Sequence, residues 1–163
     1  MNKLPKWETL KSHYPALPAA TVFKQIGGKV EFNFDIKVFG NACATRISKA
    51  LNGAGGIHRI PYYKAVGPNG EYEGQVSSGK NKLWYIFRVR ILNKYLTEKY
   101  GAPDTCLPEE HAEKLSGRMG IIIYEVHGWT DATGHADLWD GKKCVYKNYG
   151  SVSHNVLFWE ASS

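Results

Sequence analysis

The sequence predicts an α+β fold in which N-terminal helices pack on a C-terminal antiparallel sheet. Three observations predict it. Asn41 precedes Ala44, Ile47 and Leu51 at helical spacing. Met119 to Val126 (MGIIIYEV) is a continuous apolar run typical of a central strand covered on both faces. Gly134 to Trp139 (GHADLW) reads as a second strand, and Asp140-Gly141 after it is a type I′ hairpin signal.

Taken in order, residues 1–20 read as a short amphipathic helix around Trp7 and Leu10, ended by Pro15 and Pro18. Residues 21–40 are punctuated by glycine, and Val30-Glu31-Phe32-Asn33-Phe34 alternates as a short strand or extended arm would. From Asn41 to Gly53 the pattern is a helix, with Asn41 as N-cap, Gly53 as stop, and Arg46 and Lys49 off the apolar stripe. Residues 53–81 are rich in glycine and have little periodicity, so they are expected as a long irregular segment. Leu83 to Val89 is expected as a strand, and Val89, Leu92, Leu96 and Tyr100 as a helix closed by Gly101 and Pro103. Residues 102–118 read as a connection. Lys143 to Lys147 should return from the hairpin as a third strand, and Asn155 to Glu160 should be the last strand. No repeat or linker interrupts the chain, so residues 1–163 are expected to form a single domain.

Composition narrows the function classes. The net charge of +6 and pI near 9.2 favour polyanionic partners, but the cations are scattered and form no basic tract. No apolar run approaches the ~20 residues of a membrane span. The segment MNKLPKWETLKSHYP lacks the apolar core of a Sec-type signal, so a protein that starts in the cytoplasm is expected. Cys43, Cys106 and Cys144 show neither a disulfide framework nor zinc-finger spacing.

A thiol in the first turn of a helix lies at the positive end of the macrodipole, which favours the thiolate; Cys43 is therefore the candidate nucleophile. Its partner should be a histidine held rigidly. His13, His58 and His111 lie in polar or Gly/Pro-rich surroundings and His154 has no obvious companion, which leaves His127 and His135. His135 opens a strand, and Asp137, two residues on, shares its face, so that the carboxylate can reach the ring directly or through one water. Asp140 reads as a turn residue. His127, His135 and Asp137 are residue types that zinc accepts, but their spacing matches no strong zinc signature, and neither a metal nor a cofactor is expected. The GAGG run at 53–56 lacks the Lys-Ser/Thr of a phosphate loop. Trp129 and Asn41 are the candidate substrate contacts, with Tyr62 and Tyr63 as further aromatics for a groove or for packing.

The order of these parts, a cysteine at a helix start followed by a strand-borne histidine and a hairpin, is the layout of papain-like cysteine peptidases and amidases. The segments NACATRISKALN (41–52) and GIIIYEVHGWTDATGHADLWDGKKC (120–144) resemble the fourth family of type VI secretion amidase effectors, toxins of papain-like, NlpC-type fold. IGGKV (26–30), YIFRV (85–89) and YLTEKYGAPD (95–104) support the resemblance, which covers most of the chain from Ile26 to Cys144. It implies an antibacterial effector injected into the periplasm of a neighbouring Gram-negative cell, where it cuts the γ-D-glutamyl–meso-diaminopimelate bond of peptidoglycan stem peptides. It implies Cys43 as nucleophile and His135 as base, with Asp137 as the third member ahead of Asn148 and Asp140. It further implies a cognate immunity protein and the secretion machinery as partners, and no nucleic acid or membrane.

Two other readings remain open at this level: a basic binding module for nucleic acid or glycan with buried cysteines, and a papain-like peptidase or acyltransferase acting on protein. Cys106 and Cys144 are candidates to pair in an oxidising periplasm.

Overall fold

The computed structural model describes residues 2–126, 134–148 and 153–163. The N-terminal half is helical: α1 Trp7–His13, α2 Ala19–Ile26, α3 Gly28–Asp35 and α4 Cys43–Ala54, followed by a 3-10 turn at Gly56–His58. Four short strands come next, β1 Lys64–Val66, β2 Tyr72–Gly74, β3 Val76–Ser78 and β4 Trp84–Ile86, then α5 Val89–Tyr100. The rest is β5 Asp104–Cys106, α6 Pro108–Lys114, β6 Gly120–Glu125, β7 Gly134–Trp139 and β8 Asn155–Glu160.

The main sheet is antiparallel, in the order β5-β8-β6-β7. The apolar run read from the sequence is its inner strand β6, buried from Gly120 through Tyr124. Alternation divides β6 between two cores. Ile121 and Ile123 join Ala136, Leu138, Leu157 and Trp159 under α1, α4 and α5, where Leu10, Ile47, Leu51 and Leu92 complete the layer. Each Ile or Leu of this layer contributes about 1.5–3 kcal/mol by leaving water. Ile122 and Tyr124 face the other way, toward Val156, Phe158, Trp139, Leu115 and Cys144. Among the described residues no helix is long and apolar enough to cross a membrane.

Several elements differ from the sequence reading. Residues 21–40 form α2 and α3, not a strand. Gly27 and Gly28 take φ of 65° and 59° and make the break between the helices. Val30 and Phe34, which read as strand alternation, are also four residues apart on one helical face; Val30 is buried and Phe34 stacks on Phe23 at 4.7 Å, while Phe32 is left exposed. Gly53 does not end α4. It lies inside the helix where α1 crosses, and a Cβ there would meet the His13 ring at 2.4 Å; the stop is Gly55, at φ 75°. The segment 53–81 carries β1 to β3, paired as β1-β2 and β3-β4. Two of its glycines serve close approach: a Cβ on Gly79 would meet the Ile26 and Tyr85 side chains at 2.8 Å, and one on Gly74 would meet the Tyr62 ring. Residues 102–118 are a strand and a helix, with Pro108 opening α6 and the Glu110 carboxylate accepting from the Leu107 N–H at 3.1 Å.

The expected return strand at 143–147 does not form. Asp140 makes an Asx turn, accepting from the N–H groups of Lys142 and Lys143 at 2.8 Å each. The backbone pairing across it comprises an Asp140 N–H to Lys143 carbonyl bond of 3.0 Å, the Trp139–Cys144 bridge and a Val145 N–H to Leu138 carbonyl bond of 2.9 Å. Beyond Val145, the Tyr146 and Lys147 N–H groups turn to the carboxylate of Asp137 instead of a strand carbonyl. The expectations for His127 and Trp129 fall on residues outside those described.

Candidate active site

Helix α4 begins at Cys43 because the chain before it is capped from two residues back. Ala42 is the N-cap by geometry, and Asn41 supplies the capping oxygen, its Oδ1 accepting from the Cys43 N–H at 2.8 Å. The Cys43 side chain, only 4% exposed, faces edge strand β7, where His135 sits. Cys43 Sγ lies 3.8 Å from His135 Nδ1, across 92 residues of sequence. That distance is within reach of a thiol–imidazole contact, though long for one, as is usual in an unliganded site.

Asp137 is buried, and its carboxylate has a clear set of donors. Oδ1 accepts from the Tyr14 hydroxyl at 2.9 Å and the Leu138 N–H at 2.7 Å; Oδ2 accepts from the Lys147 N–H at 2.8 Å, and the Tyr146 N–H is shared at 3.2 Å. It therefore ties the end of α1 and the segment 146–147 to β7, beside the thiol–imidazole pair. Asp140 is engaged in its turn, and Asn148 is exposed.

Arg46, which the helical pattern sets off the buried stripe, is 4% exposed. Its Nε and Nη2 donate to the Leu17 carbonyl at 3.1 and 2.9 Å, and its guanidinium lies 4.0 Å above the centre of the Tyr146 ring. Tyr14 and Arg46 are the site residues that sequence reasoning missed. Arg46 carries a signal, being three residues after Cys43 and hence its neighbour on the helix. Tyr14 carries none, since it meets Asp137 only through the fold.

The electrostatics depart from the expected thiolate. Burial raises the Cys43 thiol above its ordinary range, and the Asp137 charge adds to this; the Ala136 backbone and the Arg46 guanidinium oppose it. Burial, with a contribution from Lys147, lowers His135 to about 4. Burial also raises Asp137, against its four sets of hydrogen bonds. Burial thus favours the neutral thiol and the neutral imidazole at this site.

The thiol opens on a cleft of about 400 Å³ whose walls include Pro18, Asn41, Arg46, Tyr146 and Lys147. A larger concavity, about 510 Å³, lies between Leu4, Tyr100 and the C-terminal strand and contains neither Cys43 nor His135. Among the described residues, no three His, Cys, Asp or Glu side chains gather so as to hold a metal ion.

A cysteine at the first turn of a helix, met by a histidine at the start of an antiparallel strand, defines a papain-like cysteine amidase of the NlpC kind. Residues 39–159 match the family model of type VI secretion system (T6SS) amidase effector protein 4, and the chain belongs to that family: it is a peptidoglycan amidase effector delivered to a target cell. The structure of the type VI effector Tae4 from Enterobacter cloacae is 30% identical, with a TM-score of 0.80, covering 99% of this chain and 100% of that one. The Tae4–Tai4 effector–immunity complex from the same organism gives 30% and 0.79 over the same coverage. The Salmonella typhimurium Tae4/Tai4 system gives 29% and 0.78, covering 97% of this chain and 99% of that one. Among curated proteins none matches.

Proposed function

We propose that the protein hydrolyses the γ-D-glutamyl–meso-diaminopimelate bond of peptidoglycan stem peptides, with Cys43 as nucleophile and His135 as base. The observation that supports the catalytic pair is the 3.8 Å approach of Cys43 Sγ to His135 Nδ1 beside a cleft that Cys43 lines, and the bond cleaved is what the likeness to the family implies. As the thiol attacks the amide carbonyl, its proton passes to His135, which then hands it to the leaving amine. Water, deprotonated by the same histidine, then hydrolyses the thioester. Asp137 is the third member of the group, acting by holding Tyr14 and the 146–147 segment in place around the pair.

The oxyanion forms at the positive end of α4. The Cys43 N–H, a natural donor for it, is already taken by Asn41 Oδ1. That bond fixes the Asn41 amide, leaving its NH₂ as the donor toward a substrate carbonyl in the same cleft. The protein is made in the cytoplasm of the producing cell and acts in the periplasm of the target. By likeness to the Enterobacter and Salmonella complexes, a cognate immunity protein neutralises it.

The test is a digest of Gram-negative sacculi with the protein and with Cys43→Ala, the released muropeptides being identified by mass spectrometry. Fragments newly ending in γ-D-glutamate with the wild type alone are expected. Intact muropeptides with both proteins under reducing conditions would reject the reading.

A further inference from the structure

Arg46 is a buried cation with no carboxylate partner among the described residues. The ion pairs there are Lys94–Glu98, Lys114–Glu110 and those of Arg118, and Arg46 takes part in none. Removing a guanidinium from water costs several kcal/mol unless an anion compensates it. A carbonyl oxygen and an aromatic face, the partners it has, offset only part of that cost. Both hold it in one place, since the Leu17 carbonyl anchors two of its nitrogens and the Tyr146 ring covers one face. That place is one helical turn after Cys43, on the wall of the same cleft.

We propose that Arg46 is the counter-charge of the Cys43 thiolate, a permanent buried cation placed to stabilise the nucleophile once its proton has left. The groups around the thiol support this assignment. Tyr14 from the end of α1 is neutral, since burial raises its hydroxyl further. On β7, Asp137 opposes a thiolate and His135 is neutral at rest. From the segment after β7, Tyr146 presents its ring to Arg46 while Lys147 acts on His135. Arg46 is the guanidinium in this group, a cation by the chemistry of its side chain. A thiolate formed here is held by Arg46 as well as by the imidazolium that took its proton, so it stays compensated when His135 hands that proton on to the leaving amine.

The inference rests on Cys43 being the nucleophile, but its test is independent of the cell wall. Alkylation of Cys43 by iodoacetamide, followed across pH as the mass increment on the Cys43 peptide, reads thiolate formation directly. In Arg46→Gln, which keeps donors for Leu17 and loses the charge, the alkylation midpoint should rise by about one pH unit. The rate near neutrality should fall about threefold, because a tenfold smaller thiolate fraction is partly offset by a more basic, more nucleophilic sulfur. Arg46→Lys, which keeps the charge and loses the fork, should stay near the wild-type midpoint. A folded Arg46→Gln, judged by near-UV circular dichroism, that alkylates with the wild-type profile would overturn the proposal. So would Arg46→Lys shifting as far as Arg46→Gln, or both variants failing to fold, since either result makes Arg46 a structural clamp. Failure of the sacculus digest would leave the alkylation result standing, so the two readings fail separately.

Discussion

Two cysteine–histidine clusters lie among the described residues, and they differ in what surrounds them. At the first, Cys43 faces His135 beside a cleft, at the end of a helix, next to a guanidinium. At the second, Cys144 lies 3.2 Å from the Tyr124 hydroxyl, which lies 3.0 Å from His111 Nε2, while His111 Nδ1 meets the Pro108 carbonyl. This chain of contacts sits in the second core, where the His111 ring also packs on Trp139 at 5.3 Å. Burial pushes the Cys144 thiol up to about 12. Cys144 is buried as Cys43 is, and its polar neighbours are as close. The first cluster has a cleft and the Arg46 guanidinium beside it, whereas the second lies within the second core.

The largest test of that contrast is activity. Cys43→Ala should lower muropeptide release by at least about 10³-fold, the scale on which removal of a nucleophile is felt. Cys144→Ala should stay within about twofold of wild type in the same assay, with its effect confined to a lower unfolding midpoint. Comparable losses from both substitutions would erase the distinction.

Next in size is the anchoring carboxylate. Asp137→Ala leaves the Tyr14 hydroxyl and the Leu138, Tyr146 and Lys147 N–H groups without their acceptor. A loss of about 3 kcal/mol or more in urea unfolding is expected, since each buried donor left unmade costs about 1–3 kcal/mol and some will find water. A loss below about 1 kcal/mol would mean that the 146–147 segment is held by something else.

The third test uses pH. Burial holds His135 near 4 in the folded protein, below its ordinary 6.5, so folding favours the neutral ring. The stability from this group is whole above about pH 6.5 and is lost as pH falls toward about 4. Its upper bound is about 3.5 kcal/mol, because a titration displaced by one pH unit corresponds to about 1.4 kcal/mol. His135→Ala should remove this acid-side component from the unfolding free energy. An unchanged slope between pH 6.5 and 4 in that variant would place the acid sensitivity elsewhere.

These parts are not equally legible in the sequence. Strands β6, β7 and β8 and helices α4 and α5 are legible from local pattern, whereas the pairing of the Cys43 helix with the strand that carries His135, 92 residues away, is legible only through the resemblance to the amidase effector family. The region 21–40 misleads because Val30, Phe32 and Phe34 satisfy period two, while the choice of helix depends on Phe23 being there to receive Phe34. The missing return strand follows from Asp137 capturing the Tyr146 and Lys147 N–H groups, an effect of one side chain that no propensity contains. For Arg46 the pattern points outward because a charge usually does. Its burial depends on the Leu17 carbonyl and the Tyr146 ring, which come from opposite ends of the chain.

The smallest effect separates the two clusters by how their hydrogen bonds are shared. Tyr14→Phe removes one donor from Asp137, whose oxygens keep the Leu138, Tyr146 and Lys147 N–H groups. About 1 kcal/mol of stability should be lost, as for a single hydrogen bond with its acceptor still satisfied. Tyr124→Phe removes the middle of a chain of contacts, taking from His111 Nε2 and Cys144 Sγ the hydroxyl that serves both. It should cost about 2 kcal/mol, because a buried imidazole nitrogen loses its partner. Paired urea titrations of the two variants measure the difference directly. If Tyr14→Phe proves the costlier, the carboxylate depends on that hydroxyl more than its other donors suggest, and the open cluster is the more tightly coupled of the two.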